Sequence, residues 1–253
     1  MTGPNGAAAN AALLPFLRPQ TDLLIASVRA LAAEGDAAFI KPSLCAGWTR
    51  GHVVSHLARN ADALGNLVTW ATTGIPTPMY AGQDARDADI AAGATREPAA
   101  QLRDLIESAD RFEAAARRLR PEHDPVPLEG RAGLKLAGGD LVFLRLREVG
   151  MHHVDLACGF GFADLPPELT LVFLDAAIAR IATRPDAPCL RLRTDEGDEW
   201  TIGGAPEPDS AADSASAPTS VRGSRSGLLA WLSRSIDDDV TSDRPLPRLP
   251  FGG

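Results

Sequence analysis

Two short stretches of the chain place histidines and a glutamate at helical spacing. GWTRGHVVSHLARN contains His52 and His56, and REVGMHHVDL contains Glu148 and His152, and the members of each pair are four positions apart. Side chains four residues apart lie one turn above each other on a helix. Two imidazoles and a carboxylate with an open fourth position form a ligand set of catalytic zinc, and helix bundles commonly build such sites from facing helices. The pattern raises the question of a metal centre.

Helical-wheel positions separate the candidate ligands from their neighbours. At about 100° per residue, His56 lies at the border of the apolar face of its helix, and His52 lies about 40° farther out. On the other helix His153 is about 140° from Glu148, against about 40° for His152. We therefore expect His56, Glu148 and His152 to be the ligands if a metal binds, and a closed site that also uses His52 is an alternative.

The same spacing also occurs without any metal. A glutamate four residues before a histidine is common on helices as a solvated or lightly paired couple. A histidine near an apolar face is usually a hydrogen-bonded structural residue. From the residues alone, both interpretations stay open.

The hydrophobic pattern provides the helices that would position these side chains. Apolar residues recur at helical spacing in four long segments, bounded by capping residues, prolines and glycines. We predict helices over residues 8–34, 49–74, 97–119 and 141–158. Four helices in about 160 residues indicate a bundle. Between them, an Asp- and Ala-rich stretch over 80–95 is predicted to start with a loop, and PVPLEGRAGLKLAGG is predicted to form a hairpin or loop.

The pattern changes after the bundle. PPELTLVFLDAAIARIAT is predicted to be a helix, CLRLRT and EWTIGG to be strands, and VRGSRSGLLAWLSRSI to be a short strand followed by a helix. The segment PEPDSAADSASAPTS is a low-complexity connection. The predicted fold class is α+β, mainly α: a four-helix bundle over residues 8–162 and a small α+β domain over residues 163–253.

Composition excludes some function classes. The formal net charge of -8 and the pI near 5.1 argue against binding to the phosphate backbone of nucleic acids. No run of about 18 apolar residues would span a membrane, and the first residues contain no basic leader, so we expect a cytoplasmic protein. Cys45, Cys158 and Cys189 are far apart and form no Cys-x-x-Cys pair. We expect all three to be free structural thiols of a reducing compartment.

Longer motifs resemble a known family. GWTRGHVVSHLARNADAL, NLVTWATTGIPTPMY and REVGMHHVDL together resemble the mycothiol-dependent maleylpyruvate isomerases, within the wider DinB-like group of metal-binding four-helix bundles. The C-terminal part is similar to the small sterol-carrier-like domain that these isomerases append. The resemblance implies that His56, Glu148 and His152 bind zinc or another divalent metal. It also implies a catalytic and cofactor-binding role for Arg234 in LLAWLSR, although Ser233 stands where relatives often have Gly.

The reaction that the resemblance implies is the cis–trans isomerisation of maleylpyruvate to fumarylpyruvate in gentisate degradation, with mycothiol as cofactor. The expected partners are a small-molecule substrate and this low-molecular-weight thiol. Asp155 either orients the His152 imidazole or is solvated near the helix end. Three other functions remain open: a mycothiol S-transferase on the same scaffold, a non-catalytic metal- or lipid-binding protein, and a zinc hydrolase that activates water.

Overall fold

The computed structural model describes residues 9–203 and 218–249, and the chain divides into two compact units, Met1–Phe160 and Gly161–Gly253. The predicted fold class is confirmed, since the chain is mainly helical with small sheets. Most of the predicted low-complexity connection lies outside the described residues. Within the described ranges, no helix is both long enough and apolar enough to cross a membrane.

The first unit contains six α-helices in its described part. They are α1 (Ala9–Ala33), α2 (Asp36–Phe39), α3 (Arg50–Thr73), α4 (Gln83–Ala94), α5 (Pro98–Ala116) and α6 (Leu141–Asp155). The four long helices predicted from the sequence are α1, α3, α5 and α6. Helix α3 begins after Thr49, whose side chain accepts a hydrogen bond from the backbone N–H of His52, and ends at Gly74, which has a φ of 72°. Helix α6 ends at Asp155, before the predicted 158, because Ala157 already adopts a left-handed conformation.

The core of this unit lies between the long helices. It is formed by buried apolar side chains, which include Leu24, Val28, Val53, Leu57, Leu105, Val149 and Leu156. Helix α4 lies in the stretch that was predicted to start with a loop. It packs closely on α3, because a Cβ built on Gly93 would lie 2.1 Å from Ser55 Oγ. Only Ile90 of α4 is buried, so its sequence carries almost no apolar periodicity. A short antiparallel hairpin, β1 (Pro127–Glu129) with β2 (Lys135–Ala137), precedes α6 at the predicted place.

The second unit combines helices with a four-stranded sheet. Its elements are α7 (Pro167–Ala182), β3 (Leu190–Thr194), β4 (Glu199–Ile202), β5 (Thr219–Gly223), α8 (Arg225–Arg234) and β6 (Val240–Ser242). The strand order is β4-β3-β5-β6, with β3 and β5 parallel and the other pairs antiparallel. Residues of β3 alternate between buried and exposed, as the LRLRT pattern predicts. The edge strand β6 was not predicted from the sequence.

Candidate metal centre

Three side chains from α3 and α6 converge on one point in the first unit. Glu148 Oε2 lies 2.8 Å from His56 Nε2 and 3.5 Å from His152 Nε2. The two imidazole rings meet edge to face, with their centroids 4.7 Å apart. The structure therefore brings together the three ligands predicted from the sequence, with one possible ligand atom of each facing the others.

Burial differs among these three side chains. The His56 side chain is 7% exposed, while that of Glu148 is 27% exposed. The ring of Trp48 covers His56 at a centroid distance of 5.3 Å. The cluster is thus closed on the His56 side and open to solvent at the carboxylate, which is where a further ligand can enter.

A second carboxylate holds the ring of His152 from behind. His152 Nδ1 donates to Asp155 Oδ2 at 2.7 Å, and Asp155 is completely buried. The Cys45 thiol also donates to Asp155 Oδ2, at 3.2 Å. Because Asp155 fixes a proton on Nδ1, the other ring nitrogen, Nε2, is the one that faces Glu148. This is the arrangement in which a carboxylate orients a metal-binding histidine.

Cys45 lies nearer to the centre than the sequence indicated. Its Sγ is 3.7 Å from His152 Nδ1, and Cys45, His152 and Asp155 lie close enough together to hold an ion themselves. Asp155 accepts hydrogen bonds from both neighbours, which satisfies the buried carboxylate without a metal. No short motif around Cys45 signals this contact, because the residue reaches the centre from the loop before α3.

The charges of the cluster depend on its hydrogen bonds. Burial raises the pKa of Glu148, but hydrogen bonds from His152 and His56 more than offset this and leave its pKa well below the usual value. Burial lowers the pKa of His152, but bonds to Asp155, Cys45 and Glu148 more than offset it, so this pKa is well above the usual value. Burial also lowers the pKa of His56, which Glu148 offsets only in part.

This donor set fits a divalent metal. Two imidazole nitrogens and a carboxylate oxygen are a common catalytic zinc set, and donors around tetrahedral zinc lie roughly 3.3 Å apart. The observed separations of 2.8 and 3.5 Å from Glu148 Oε2 bracket that value. A metal would take the place of the proton on His152 Nε2, and Asp155 would keep the ring in position.

The remaining histidines of these two helices serve other contacts. His52 Nδ1 lies 2.8 Å from Thr49 Oγ1 at the start of α3, so His52 belongs to the helix cap. His153 Nε2 lies 2.8 Å from Ser27 Oγ, and its ring stacks on Phe160. Neither belongs to the groups that could hold a metal among the described residues.

One further side chain beside the centre, Arg86, was missed by sequence reasoning. Arg86 on α4 places Nη2 3.3 Å from His56 Nδ1, and its guanidinium lies over the ring of Tyr80. Nothing in the Asp- and Ala-rich sequence of α4 marks this arginine.

Arg234, which the sequence resemblance implied as a site residue, is the last residue of α8 in the second unit. It is partly buried and donates from Nη1 to the carbonyl of Ser233 at 2.8 Å.

More than half of the chain matches the sequence model of a known family. The sequence model described as the mycothiol maleylpyruvate isomerase N-terminal domain matches residues 17–157, which include His56, Glu148 and His152. The chain belongs to this family. The resemblance noted in the sequence is thereby confirmed.

Solved structures extend the similarity of this family member to nearly the whole chain. A crystal structure of the mycothiol-dependent maleylpyruvate isomerase is 28% identical and has a TM-score of 0.78, covering 94% of this chain and 96% of that one. A structure of a histidine-to-alanine variant of that isomerase is 27% identical, with the same TM-score and coverage. A search of the curated proteins gives no significant match.

Proposed function

We propose that this protein isomerises maleylpyruvate to fumarylpyruvate, with mycothiol as cofactor and a divalent metal held by His56, Glu148 and His152. The observation that carries the proposal is the convergence of two imidazole Nε2 atoms and a carboxylate oxygen inside the matched domain. The similarity to a mycothiol-dependent maleylpyruvate isomerase supports the choice of substrate and thiol.

The reaction requires rotation about a conjugated double bond. Rotation becomes possible when a thiolate adds to one carbon of the double bond, and elimination then restores the double bond in the trans form and returns the thiol. A free thiol has a pKa of about 8.5, and a divalent metal, when bound, lowers the pKa of a coordinated thiol so that thiolate is present near neutral pH. Atoms and electrons balance over the cycle, since the thiol is recovered unchanged.

The residues of this chain prepare and hold the centre. Glu148 supplies a carboxylate that is already ionised. His56 and His152 supply neutral nitrogen donors once His152 has lost its Nε2 proton and the His56 proton has moved from Nε2 to Nδ1. Asp155 keeps the His152 ring oriented. We further propose that Arg234 binds the anionic substrate or the enolate formed on addition, through charge-assisted hydrogen bonds. Support for Arg234 comes from the LLAWLSR motif alone.

A place in gentisate degradation and a cytoplasmic location belong to the same proposal. Cys45, Cys158 and Cys189 are free thiols, which is usual in a reducing compartment. Mycothiol as cofactor requires the same compartment, because only its reduced form adds to a double bond.

The test is absorbance-monitored conversion of maleylpyruvate by the purified protein, with and without zinc and with mycothiol in catalytic amount. We expect many turnovers per thiol and a loss of at least about a hundredfold in Glu148→Gln, since this substitution removes the charged ligand. Glu107→Gln is the matched control, because Glu107 is an exposed glutamate of α5.

Each other outcome favours a different function. If each mycothiol were consumed in forming one stable adduct with the substrate, the result would favour an S-transferase. Zinc binding without any conversion would favour a metal- or lipid-binding protein. Full activity of Glu148→Gln would remove the proposed centre from the reaction.

A further inference from the structure

Arg86 occupies an unusual position for an arginine of an exposed helix. Its side chain is only 11% exposed, and Nη2 lies 3.3 Å from His56 Nδ1. Its Cζ atom lies 5.8 Å from the centre of the Tyr80 ring, which fixes the guanidinium from one side. The close packing of Gly93 against Ser55 holds α4 on α3 and so brings Arg86 to the candidate metal centre.

The ion pair that Arg86 forms does not explain why its side chain lies at the candidate metal centre. Its carboxylate partner, Asp87, is the next residue in sequence, and the Asp87 side chain is 55% exposed. Such exposed pairs contribute between about 0 and 1 kcal/mol. A divalent metal on two neutral imidazoles and the Glu148 carboxylate would leave a net positive charge on the ion and its ligands, so a guanidinium beside it is electrostatically unfavourable unless a further anion joins them. The placement therefore points to an anionic ligand.

The hydrogen bond between Arg86 and His56 also cannot survive metal binding. An arginine only donates, so His56 Nδ1 accepts, and the proton of the neutral ring is on Nε2, facing Glu148. A metal on Nε2 requires the proton to move to Nδ1. Two donors would then face each other, and the guanidinium must turn away from His56. Metal loading thus frees Nη2 of Arg86 next to the centre, while Nη1 stays paired with Asp87.

We propose that Arg86 binds a carboxylate of the substrate beside the metal, with Tyr80 packed against the guanidinium, and that metal loading releases Arg86 for this role. The inference rests on the proposed function, whose substrate is a dicarboxylate. A planar guanidinium binds a carboxylate through two parallel hydrogen bonds, which fixes both the position and the orientation of the substrate. Arg86 is thereby a binding and specificity residue contributed by the first unit.

Calorimetric titration of the zinc-loaded protein with maleate, in the absence of any thiol, tests this binding without turnover. We expect Arg86→Gln to weaken maleate binding roughly tenfold or more, and Arg86→Lys to fall between the two. Arg96→Gln is the matched control: Arg96 is 45% exposed, pairs with Asp104 and should leave maleate binding unchanged. Equal maleate affinity in Arg86→Gln and the wild type would overturn the proposal.

Zinc affinity, measured by competition with a chromophoric chelator, separates this role from a structural one. Loss of Arg86 removes a cation and a competing donor from His56, so Arg86→Gln should bind zinc as tightly as the wild type or more tightly. A parallel fall in zinc and maleate affinity would mean that Arg86 only supports the fold of the centre, and would overturn the proposal.

Histidine ¹⁵N spectra provide a direct readout of the release step. In the wild type the proton of neutral His56 should move from Nε2 to Nδ1 on zinc loading, and a proton that stays on Nε2 would contradict the release. Failure of the proposed reaction is distinguishable from these results. If the wild type binds maleate but does not isomerise maleylpyruvate, and Arg86→Gln loses maleate binding, then the Arg86 anion site is supported and only the proposed reaction is contradicted.

Discussion

Two buried polar clusters lie about one turn apart on α6 and use their charges differently. The first is the candidate metal centre around Glu148. The second surrounds Arg145, which is 1% exposed. Arg145 Nη1 donates to the carbonyl of Leu57 at 2.8 Å and to Asn60 Oδ1 at 2.9 Å, and the guanidinium lies over the ring of Phe112. In the candidate metal centre, several possible ligand atoms face one another at a point that solvent can reach. In the other cluster, neutral oxygen atoms bind a single cation, Arg145.

The comparison distinguishes a ligand-binding site from a buried polar cluster that only links two helices, which we call a structural tie. Burial lowers the pKa of Arg145 to about 10, so it stays charged at neutral pH, and its partners on α3 are fixed oxygens with no route to solvent. In the candidate metal centre the Glu148 side chain is partly exposed, and the proton on His152 can be exchanged for a metal. Buried charge with fixed partners holds helices together, whereas buried charge with converging donors and an open side binds a ligand.

Arg145→Ala should produce the largest change in stability. It removes the buried hydrogen bonds to the Leu57 carbonyl and to Asn60 Oδ1 and opens a cavity, so the free energy of unfolding should fall by about 2–4 kcal/mol. Urea unfolding of the metal-free protein measures this loss. Arg103→Ala, at an exposed position of α5, is the control and should change it by less than about 0.5 kcal/mol. An equal effect of the two substitutions would show that the Arg145 cluster is not a structural tie.

Zinc should stabilise the protein through the other cluster only. Binding to the folded state alone adds about 2.7 kcal/mol at a free zinc concentration of 100 times Kd. The raised pKa of His152 means that a proton competes with the metal, so the gain should be smaller at about pH 6 than at about pH 8. Thermal unfolding with and without zinc measures it. Arg145→Ala should keep this gain and Glu148→Gln should lose it; the reverse pattern would contradict the comparison.

The long helices and the three candidate ligands could be predicted because both follow from local spacing. Thr49 and Gly74 mark the ends of α3, and a four-residue interval places Glu148 and His152 on one side of α6. These are one-dimensional signals, and apolar periodicity orients both helices toward the same core.

The surroundings of the centre could not be predicted in the same way. Cys45 reaches Asp155 from a loop, and Arg86 reaches His56 from a helix that buries only Ile90. Both contacts depend on how distant segments pack. Neither residue lies in a periodic apolar pattern that would predict whether its side chain faces the core or the solvent. The role of Asp155 was left open by the sequence for the same reason, because its complete burial is a tertiary property.

Asp155→Asn is expected to have the smallest effect and is the finest test of the comparison. The amide keeps the size of the side chain but removes the charge that orients His152, so zinc affinity should fall 10- to 100-fold, or about 1.4–2.7 kcal/mol. Chelator competition measures it. Cys45→Ser is the control, since a hydroxyl can still donate to Asp155, and its affinity should stay within about threefold. If Asp155→Asn changed the free energy of unfolding but not the zinc affinity, Asp155 would be a structural tie like Arg145. Its charge would then stabilise the fold and would not contribute to metal binding.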